Sequence, residues 1–467
     1  MSYKLLINGA LVDGAAPSFD VINPATEEVL AQCPKADIDQ LEEAVAAAKA
    51  AFPSWAARPI GERAALLNKL ADAIEAKQDE FSRVLTEEQG KPLPFAAAEV
   101  AGSISNIRYF ASLQIPRNVL VDDGKSKIIQ HYTPLGVVAA ITPWNFPLLL
   151  VIMKLAPALM AGNTLVAKPA PTTPLTMLKL GELCAGIFPA GVVNVIADQN
   201  DLGGALTGHK DVAKIAFTGS TATGKKVMAS ASSALKRITL ELGGNDAAIV
   251  LEGADIAQVA PQVLFGATFN SGQVCLAIKR LYVHDSQYDA MCDELARLAK
   301  DVIVDDGLKQ GTTMGPLQNK AQYDKVLAYI EDGRTHGKII AGGETLDRKG
   351  YFVPPTIVRD IPDDAKLVRE EQFGPVLPVL RYEDLDEVIA RANDSDYGLG
   401  GSVWGSDSEK ALETALKIDS GTVWVNKFLE LPNEIPFAGS KQSGIGVENG
   451  LDGLLEFTQA KIVNMAV

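Results

Sequence analysis

Apolar positions follow two rhythms along this chain. In the first, Leu41, Val45, Ala48 and Phe52 come after Asp37, a residue suited to an N-cap, and mark a helix that Pro53 should stop. Leu66, Leu67, Leu70 and Ile74 form a second stripe, and Phe81, Val84 and Leu85 a third that ends at Gly90. A short strand at 4–7 and a turn at Asn23-Pro24 precede them. Residues 119–121 and 127–132 flank Asp122-Asp123-Gly124, the pattern of a β-hairpin leaving the main body.

The second rhythm is one of short apolar runs separated by helical stretches, at 137–141, 164–167, 192–196, 214–217 and 238–240. Such alternation predicts a parallel, doubly wound α/β sheet. Ligands in these sheets sit at the carboxyl ends of strands, here beside Trp144-Asn145, Lys168 and Thr218-Gly219-Ser220, so a nucleotide site is expected. Within 134–167 Lys154 is the single charge in 34 residues, which is long enough for a membrane span. Pro143, Pro147 and Pro157 interrupt it, and a buried strand, turn and helix is the better reading. Past Gly243-Gly244 a second α/β series follows, with strands at 281–283, 338–340, 376–380, 402–404 and 423–425, so a domain boundary is placed near 244. The final 457–465 is strand-like and could pair with the hairpin of another subunit.

Composition narrows the function classes. The 467 residues suit two or three domains, and 43 basic against 58 acidic side chains give a net charge of −15, a poor match to nucleic acid or an anionic membrane. Cys33, Cys184, Cys275 and Cys292 form no CxxC pair, and no histidine is placed to complete a zinc site, so free thiols, no metal and a reducing compartment are expected. The N-terminus, MSYKLLINGALVDG, lacks a secretory or transit pattern, which makes the cytoplasm the default.

Several residues could carry chemistry. Gly219 to Lys226 follows a strand and opens a helix, as a phosphate-binding turn does, but Lys226 stands where a P-loop needs Ser or Thr. Cys275, with Gly272 ahead of it to permit close approach of a ligand, is a candidate thiolate nucleophile, although a free cysteine is by default a small buried hydrophobe. Glu241 ends a strand at a Gly-Gly bend, suitable for a general base in a cleft and equally for a solvated strand-end acid. Lys154 needs a carboxylate partner if buried, or else must snorkel to water.

In order, Pro143-Trp-Asn-Phe-Pro147, Lys168-Pro169, Phe217-Thr-Gly-Ser220, Glu241-Leu-Gly-Gly244, Gly272-Gln-Val-Cys275, Glu371 to Pro375 and Pro436 to Gly444 closely resemble the NAD(P)-dependent aldehyde dehydrogenase superfamily over nearly the whole chain. The resemblance implies a Rossmann-like dinucleotide-binding domain at 1–115 and 135–243. It also implies an α/β catalytic domain at 244–445 and a small β oligomerisation module at 116–134 and 446–467, hence a homodimer or homotetramer. By the same resemblance Cys275 is the nucleophile, Asn145 with the Cys275 backbone N–H the oxyanion site, and Glu241 the base that activates water for thioester hydrolysis. Lys154 and Glu448 would relay the proton. Thr142, Pro143, Trp144, Lys168, Gly219, Ser220, Glu371 and Phe373 would bind NAD or NADP. Phe146, Leu150, Met153, Val274, Leu276 and Phe437 would line an aldehyde tunnel without a cation, favouring medium aliphatic or aromatic aldehydes.

The sequence departs from the family pattern at several places. Pro171 stands where many NAD-preferring relatives carry an acid, so NADP should be accepted and Lys168 could attract its 2′-phosphate. Asn245-Asp246 replaces a commoner Lys-Ser, and Val447 an Arg. Met153 stands where similar succinic semialdehyde dehydrogenases place an Arg. The alternatives are a succinic semialdehyde-type substrate, a non-catalytic nucleotide-binding member of the fold, and a P-loop-like hydrolase.

Overall fold

Two twisted sheets organise the chain, whose computed structural model describes residues 3–467. The first sheet has eight strands around a parallel centre in the spatial order Val193–Val195, Thr164–Lys168, Val137–Ile141, Val212–Thr218, Arg237–Glu241. Val137–Ile141 and Thr164–Lys168 are buried at every position, as strands covered by helices on both faces must be. The chain reverses its direction of strand addition between Val137–Ile141 and Val212–Thr218, so the loops just past those strands open a crevice. Those loops carry Thr142 to Phe146 and Gly219-Ser220. Leu5–Ile7 and Gly444–Ile445 add antiparallel strands on either side of this centre.

The second sheet runs Lys338–Ala341, Thr356–Arg359, Val376–Tyr382, Ile278–His284, Asp246–Val250, Gly400–Trp404, Thr422–Val425, parallel except at Lys338–Ala341. Separate apolar cores cover its two faces, around Ile249 and Val403 on one side and Leu281 and Trp404 on the other. Its strands Asp246–Val250 and Ile278–His284 begin directly after Gly244 and Cys275, so the amino ends of this sheet face the carboxyl ends of the first.

Four details differ from the sequence reading. The first long helix, Ile38–Ala56, passes through Pro53 instead of stopping there. Its last turn is held by Trp55, which is buried and whose Nε1 donates to the Leu159 carbonyl at 3.2 Å. Strands Asp246–Val250 and Thr356–Arg359 were not anticipated, because their short apolar runs lack flanking alternation. Thr458–Ala466 pairs with Ser126–Pro134 of its own chain, in a nine-residue register from Thr458–Pro134 to Ala466–Ser126. Asn118–Asp122 and Thr458–Ala466 are the two open edges of that ribbon. The apolar stretch at 134–167 is a strand, the helix Pro147–Met160 and a second strand, and no helix among the described residues is long and apolar enough to cross a membrane.

The link from the helix Ile256–Thr268 into Ile278–His284 determines where Cys275 lies. Asn270, Ser271 and Gly272 take φ of 51°, 59° and 72°, three successive left-handed residues. Such backbone costs on the order of 1 kcal/mol or more at each non-glycine position and needs outside support. Ser271 Oγ donates to the Gly315 carbonyl at 2.8 Å, and Asn270 Nδ2 to the Asn145 carbonyl at 3.0 Å. Gly272 therefore serves a purpose other than admitting a ligand, because a Cβ there would collide with the Gly374 carbonyl. Gly272→Ala is expected to destabilise the fold by about 2 kcal/mol or more through strain and that clash. A lowered thermal midpoint checks this, and an unchanged one refutes the packing argument.

Candidate active site

Cys275 sits between the two sheets, two residues before Ala277 and the start of Ile278–His284. It is the one half-exposed cysteine, whereas Cys33, Cys184 and Cys292 are buried. Desolvation pushes its thiol up to about 12, the carboxylates of Glu241, Asp246 and Glu371 push in the same direction, and the Lys279 ammonium opposes them. The side chain is therefore a thiol in the resting protein and becomes nucleophilic only when a base takes its proton.

Glu241 closes its strand beside Thr218, and its backbone carbonyl accepts from Gly219 N at 3.0 Å. The carboxyl is buried and neither oxygen accepts a hydrogen bond among the described residues. Burial first, and then the charge of Glu448, hold its pKa well above the usual carboxylate range, with Lys154 pulling the other way. Lys154, on the helix Pro147–Met160, is 0% exposed and does not snorkel. Its Nζ donates to Glu448 Oε1 at 2.5 Å and to Thr218 Oγ1 at 2.7 Å. Glu448 is fixed in turn by reciprocal backbone bonds with Phe437 at 2.7 Å. Three groups from distant parts of the sequence thus form one buried acid–base cluster.

Asn145 lies in the loop ahead of Pro147–Met160. Its Nδ2 donates to the Gln273 carbonyl at 3.0 Å, while Oδ1 has no partner among the described residues. One amide N–H is left over for an incoming oxygen. Sequence reasoning missed what holds this loop. Glu99 accepts from the N–H groups of Leu148 at 3.0 Å and Leu149 at 3.2 Å, capping the helix, and forms a buried ion pair with Lys91. Lys91 also donates to the Asn145 carbonyl at 2.9 Å and lies 4.0 Å over the Phe146 ring. A capping acid in the preceding helix, some fifty positions upstream, carries no local signal in the sequence.

The residues assigned to a nucleotide fall on both sides of the crevice. Trp144 meets Phe373 edge to face, with ring centroids 5.3 Å apart, bridging the loops of the two sheets. Pro143 precedes Trp144, and Thr142 is buried, its N–H donating to the Lys168 carbonyl at 3.1 Å and its Oγ1 lacking a partner among the described residues. Gly219 leaves room for the Phe217 ring, and Ser220 caps the helix Thr221–Ser232, accepting from Thr223 N at 3.3 Å. Glu371 accepts from Gly244 N at 3.0 Å, where a side chain on Gly243 would meet its carboxylate. Ser220, Thr221, Lys325, Glu371 and Tyr397 line a cavity of about 480 Å³. An open helix N-terminus, an orphaned hydroxyl and this cavity fit a phosphate-bearing ligand such as a dinucleotide. Lys168, however, is not a free cation. It is buried and ion-paired with Asp198, whose other oxygen accepts from Leu202 N at 2.8 Å.

Around Cys275, Phe146, Val274, Leu276 and Phe437 join one apolar cluster with Leu399, Trp424 and Phe269. Phe269 was not singled out from sequence, yet it stacks on Phe146 at 6.1 Å and meets Phe95 at 5.1 Å and Phe265 at 5.2 Å. Leu150 and Met153 lie half-buried on the helix that carries Lys154, outside that cluster.

Known proteins resemble this chain in sequence and fold. The sequence model described as "Aldehyde dehydrogenase family" matches residues 11–463. A mitochondrial aldehyde dehydrogenase of Leishmania tarentolae is 42% identical over 472 residues, 99% of this chain and 95% of that one. An aldehyde dehydrogenase of Bacillus cereus solved with NAD+ is 39% identical, with a TM-score of 0.98 over 100% of this chain and 97% of that one. An NADP-dependent enzyme of E. coli is 36% identical, with a TM-score of 0.97 over 100% and 98%.

Proposed function

Because the chain belongs to the aldehyde dehydrogenase family, we propose that it oxidises an apolar aldehyde to the free carboxylic acid through a thioester on Cys275. The observation that carries this reading is the Glu241 carboxyl, buried without a hydrogen-bond partner among the described residues and close enough to Cys275 for its charge to disfavour the thiolate. A group left so exposed to desolvation is poised to take a proton.

Cys275 Sγ bonds to the aldehyde carbon once its proton has passed to Glu241 and on to the Lys154–Glu448 pair, and the developing oxyanion accepts from the spare N–H of Asn145 and the backbone N–H of Cys275. NAD+ or NADP+, when bound, supplies the hydride acceptor that turns the thiohemiacetal into a thioester. Thr142, Pro143, Trp144, Lys168, Gly219 and Ser220 would hold that cofactor from the first sheet, and Glu371 with Phe373 from the second. Glu241 then takes a proton from water as the hydroxide attacks the acyl carbon, and Cys275 leaves as the thiolate. Lys154 Nζ passes a proton to Glu448 as it takes one from Glu241, which resets Glu241. We assign 1–115 and 135–243 to cofactor binding, 244–445 to catalysis, and 116–134 with 446–467 to self-association. Exposed Val119, Leu120, Ile462 and Met465 on the ribbon support the last assignment and a homo-oligomer.

The apolar cluster around Cys275, with Phe146, Phe269 and Phe437, supports aromatic or medium aliphatic substrates. Benzaldehyde should be oxidised with a higher kcat/KM than succinic semialdehyde, as followed by reduced-nicotinamide absorbance. The reverse order would overturn the substrate assignment.

Cys275→Ala should abolish turnover while leaving cofactor binding intact, and measurable oxidation by it would remove the nucleophile assignment. Glu241 must be ionised to act as a base, and its pKa is raised, so kcat should fall as pH drops and do so above the ordinary carboxylate range. Glu241→Gln should retain a first burst of reduced cofactor and lose steady turnover at least a hundredfold, in line with about 10²–10⁴ for general-base catalysis.

The Lys168–Asp198 pair sets a carboxylate beside a lysine assigned here to the cofactor, whereas Pro171 provides none. Asp198→Asn should free Lys168 and strengthen NADP+ binding relative to NAD+ by on the order of tenfold, about 1.4 kcal/mol. Isothermal titration of both cofactors decides this, and an unchanged ratio would dismiss Asp198 as a determinant.

A further inference from the structure

Lys279, at the second position of Ile278–His284, belongs to none of the roles assigned above. Its side chain is buried, and its three N–H bonds are directed at the protein backbone around the nucleophile. Nζ donates to the carbonyl of Cys275 at 2.5 Å, of Val274 at 3.0 Å and of Ala277 at 3.4 Å. Glu371 Oε1 lies 3.9 Å away, and that same oxygen accepts from Gly244 N. Asp246, which opens the neighbouring strand in register with Ile278, completes the surroundings. It is buried, neither of its oxygens has a hydrogen-bond partner among the described residues, and side chains at Gly244 or Gly400 would run into them. A buried ammonium thus sits behind the Cys275 turn, with Glu371 beside it and a second buried carboxyl on the adjoining strand.

We infer that Lys279 is the positioning residue of the nucleophile, fixing the Cys275 turn through its carbonyls and supplying the fixed positive charge that favours the thiolate. The inference rests on Cys275 being the nucleophile. Of the charged groups that bear on the thiol, Glu241, Asp246 and Glu371 all disfavour ionisation and Lys279 favours it. Burial raises the thiol further, so the ammonium held against the Cys275 carbonyl is the charge that works toward the thiolate. The same ammonium reaches Glu371, the carboxylate proposed to contact the cofactor. Any shift of Glu371 on cofactor binding is therefore felt at the Cys275 turn through one side chain.

The pH dependence of Cys275 alkylation by iodoacetamide tests this on the full-length protein, with Cys275→Ala correcting for the other thiols. Lys279→Gln keeps hydrogen-bond donors and removes the charge. It should displace the curve of rate against pH upward by about one unit, so that alkylation at a fixed pH below the midpoint slows about tenfold. Lys279→Arg keeps the charge and should stay near the parent curve. A purely structural lysine would move the thermal midpoint in both variants and leave the alkylation curve in place, which would overturn the inference. If Lys279→Gln does not fold, an Arg variant that folds with a displaced curve would equally overturn it, and one on the parent curve would support it. Turnover by Cys275→Ala would instead remove the nucleophile assignment itself, whatever the alkylation curves show.

Discussion

A carboxyl group taken out of water must find a partner, keep its proton or be held ready to gain one, and Glu241 lacks a hydrogen-bond partner among the described residues. That cost is tolerated because the rest of the first sheet is built to hold the residue still. Its strand is flanked on one side by Val212–Thr218 and on the other by Gly444–Ile445, so the C-terminal segment closes over it. The Lys154–Glu448 pair then fastens that segment to the helix Pro147–Met160. Removing one partner of a buried ion pair typically costs about 3–5 kcal/mol, so this pair fastens two distant segments while standing next to the proton acceptor.

The nucleophile is held by the opposite strategy, saturation in place of deprivation. Most backbone carbonyls around Cys275 are claimed: that of Gln273 by Asn145, and those of Val274, Cys275 and Ala277 by Lys279. The three left-handed residues ahead of it are pinned by contacts to Gly315, Asn145 and Gly374. Saturation fixes the thiol's position, and deprivation leaves the neighbouring carboxyl free to react. A cleft between the carboxyl ends of one sheet and the amino ends of another allows the two to coexist, because each sheet supplies its own kind of order.

The sheets themselves were largely legible in the sequence. Fully buried parallel strands such as Val137–Ile141 read as bare apolar runs, and Gly-Gly or Pro marked most of their ends. Glu241 and Asn145 stood out by motif because one ends a strand and the other follows one, and Cys275 because Gly272 stands ahead of it. What stayed hidden was tertiary in origin. Pro53 stops a helix only where nothing holds the next turn, and the buried Trp55 does hold it. Thr458–Ala466 looked like a strand in search of another subunit because pairing partners more than 300 positions apart leave no periodic trace. Lys168 looked like a free cation until Asp198, from a loop with no motif, was found against it. Glu99, Lys91 and Lys279 read as ordinary charges in the sequence and become significant only through the carbonyls and N–H groups they meet.

These hidden residues share one property, which bears on how such a site works. Each is a buried charge that binds backbone groups of a reactive loop: Glu99 the N–H groups ahead of Leu148 and Leu149, Lys91 the Asn145 carbonyl, and Lys279 the carbonyls around Cys275. A hydrogen bond to a charged group is worth roughly 1.5–3 kcal/mol, about twice a neutral one, and its direction is fixed by the backbone it meets. Apolar packing could hold these loops equally tightly, but it would leave their carbonyls and N–H groups unpaired in a dry cleft. Charge–backbone contacts meet both demands together. They keep water-excluded loops ordered without any help from solvent, and they leave the Glu241 carboxyl and the second amide N–H of Asn145 as groups available to an incoming substrate.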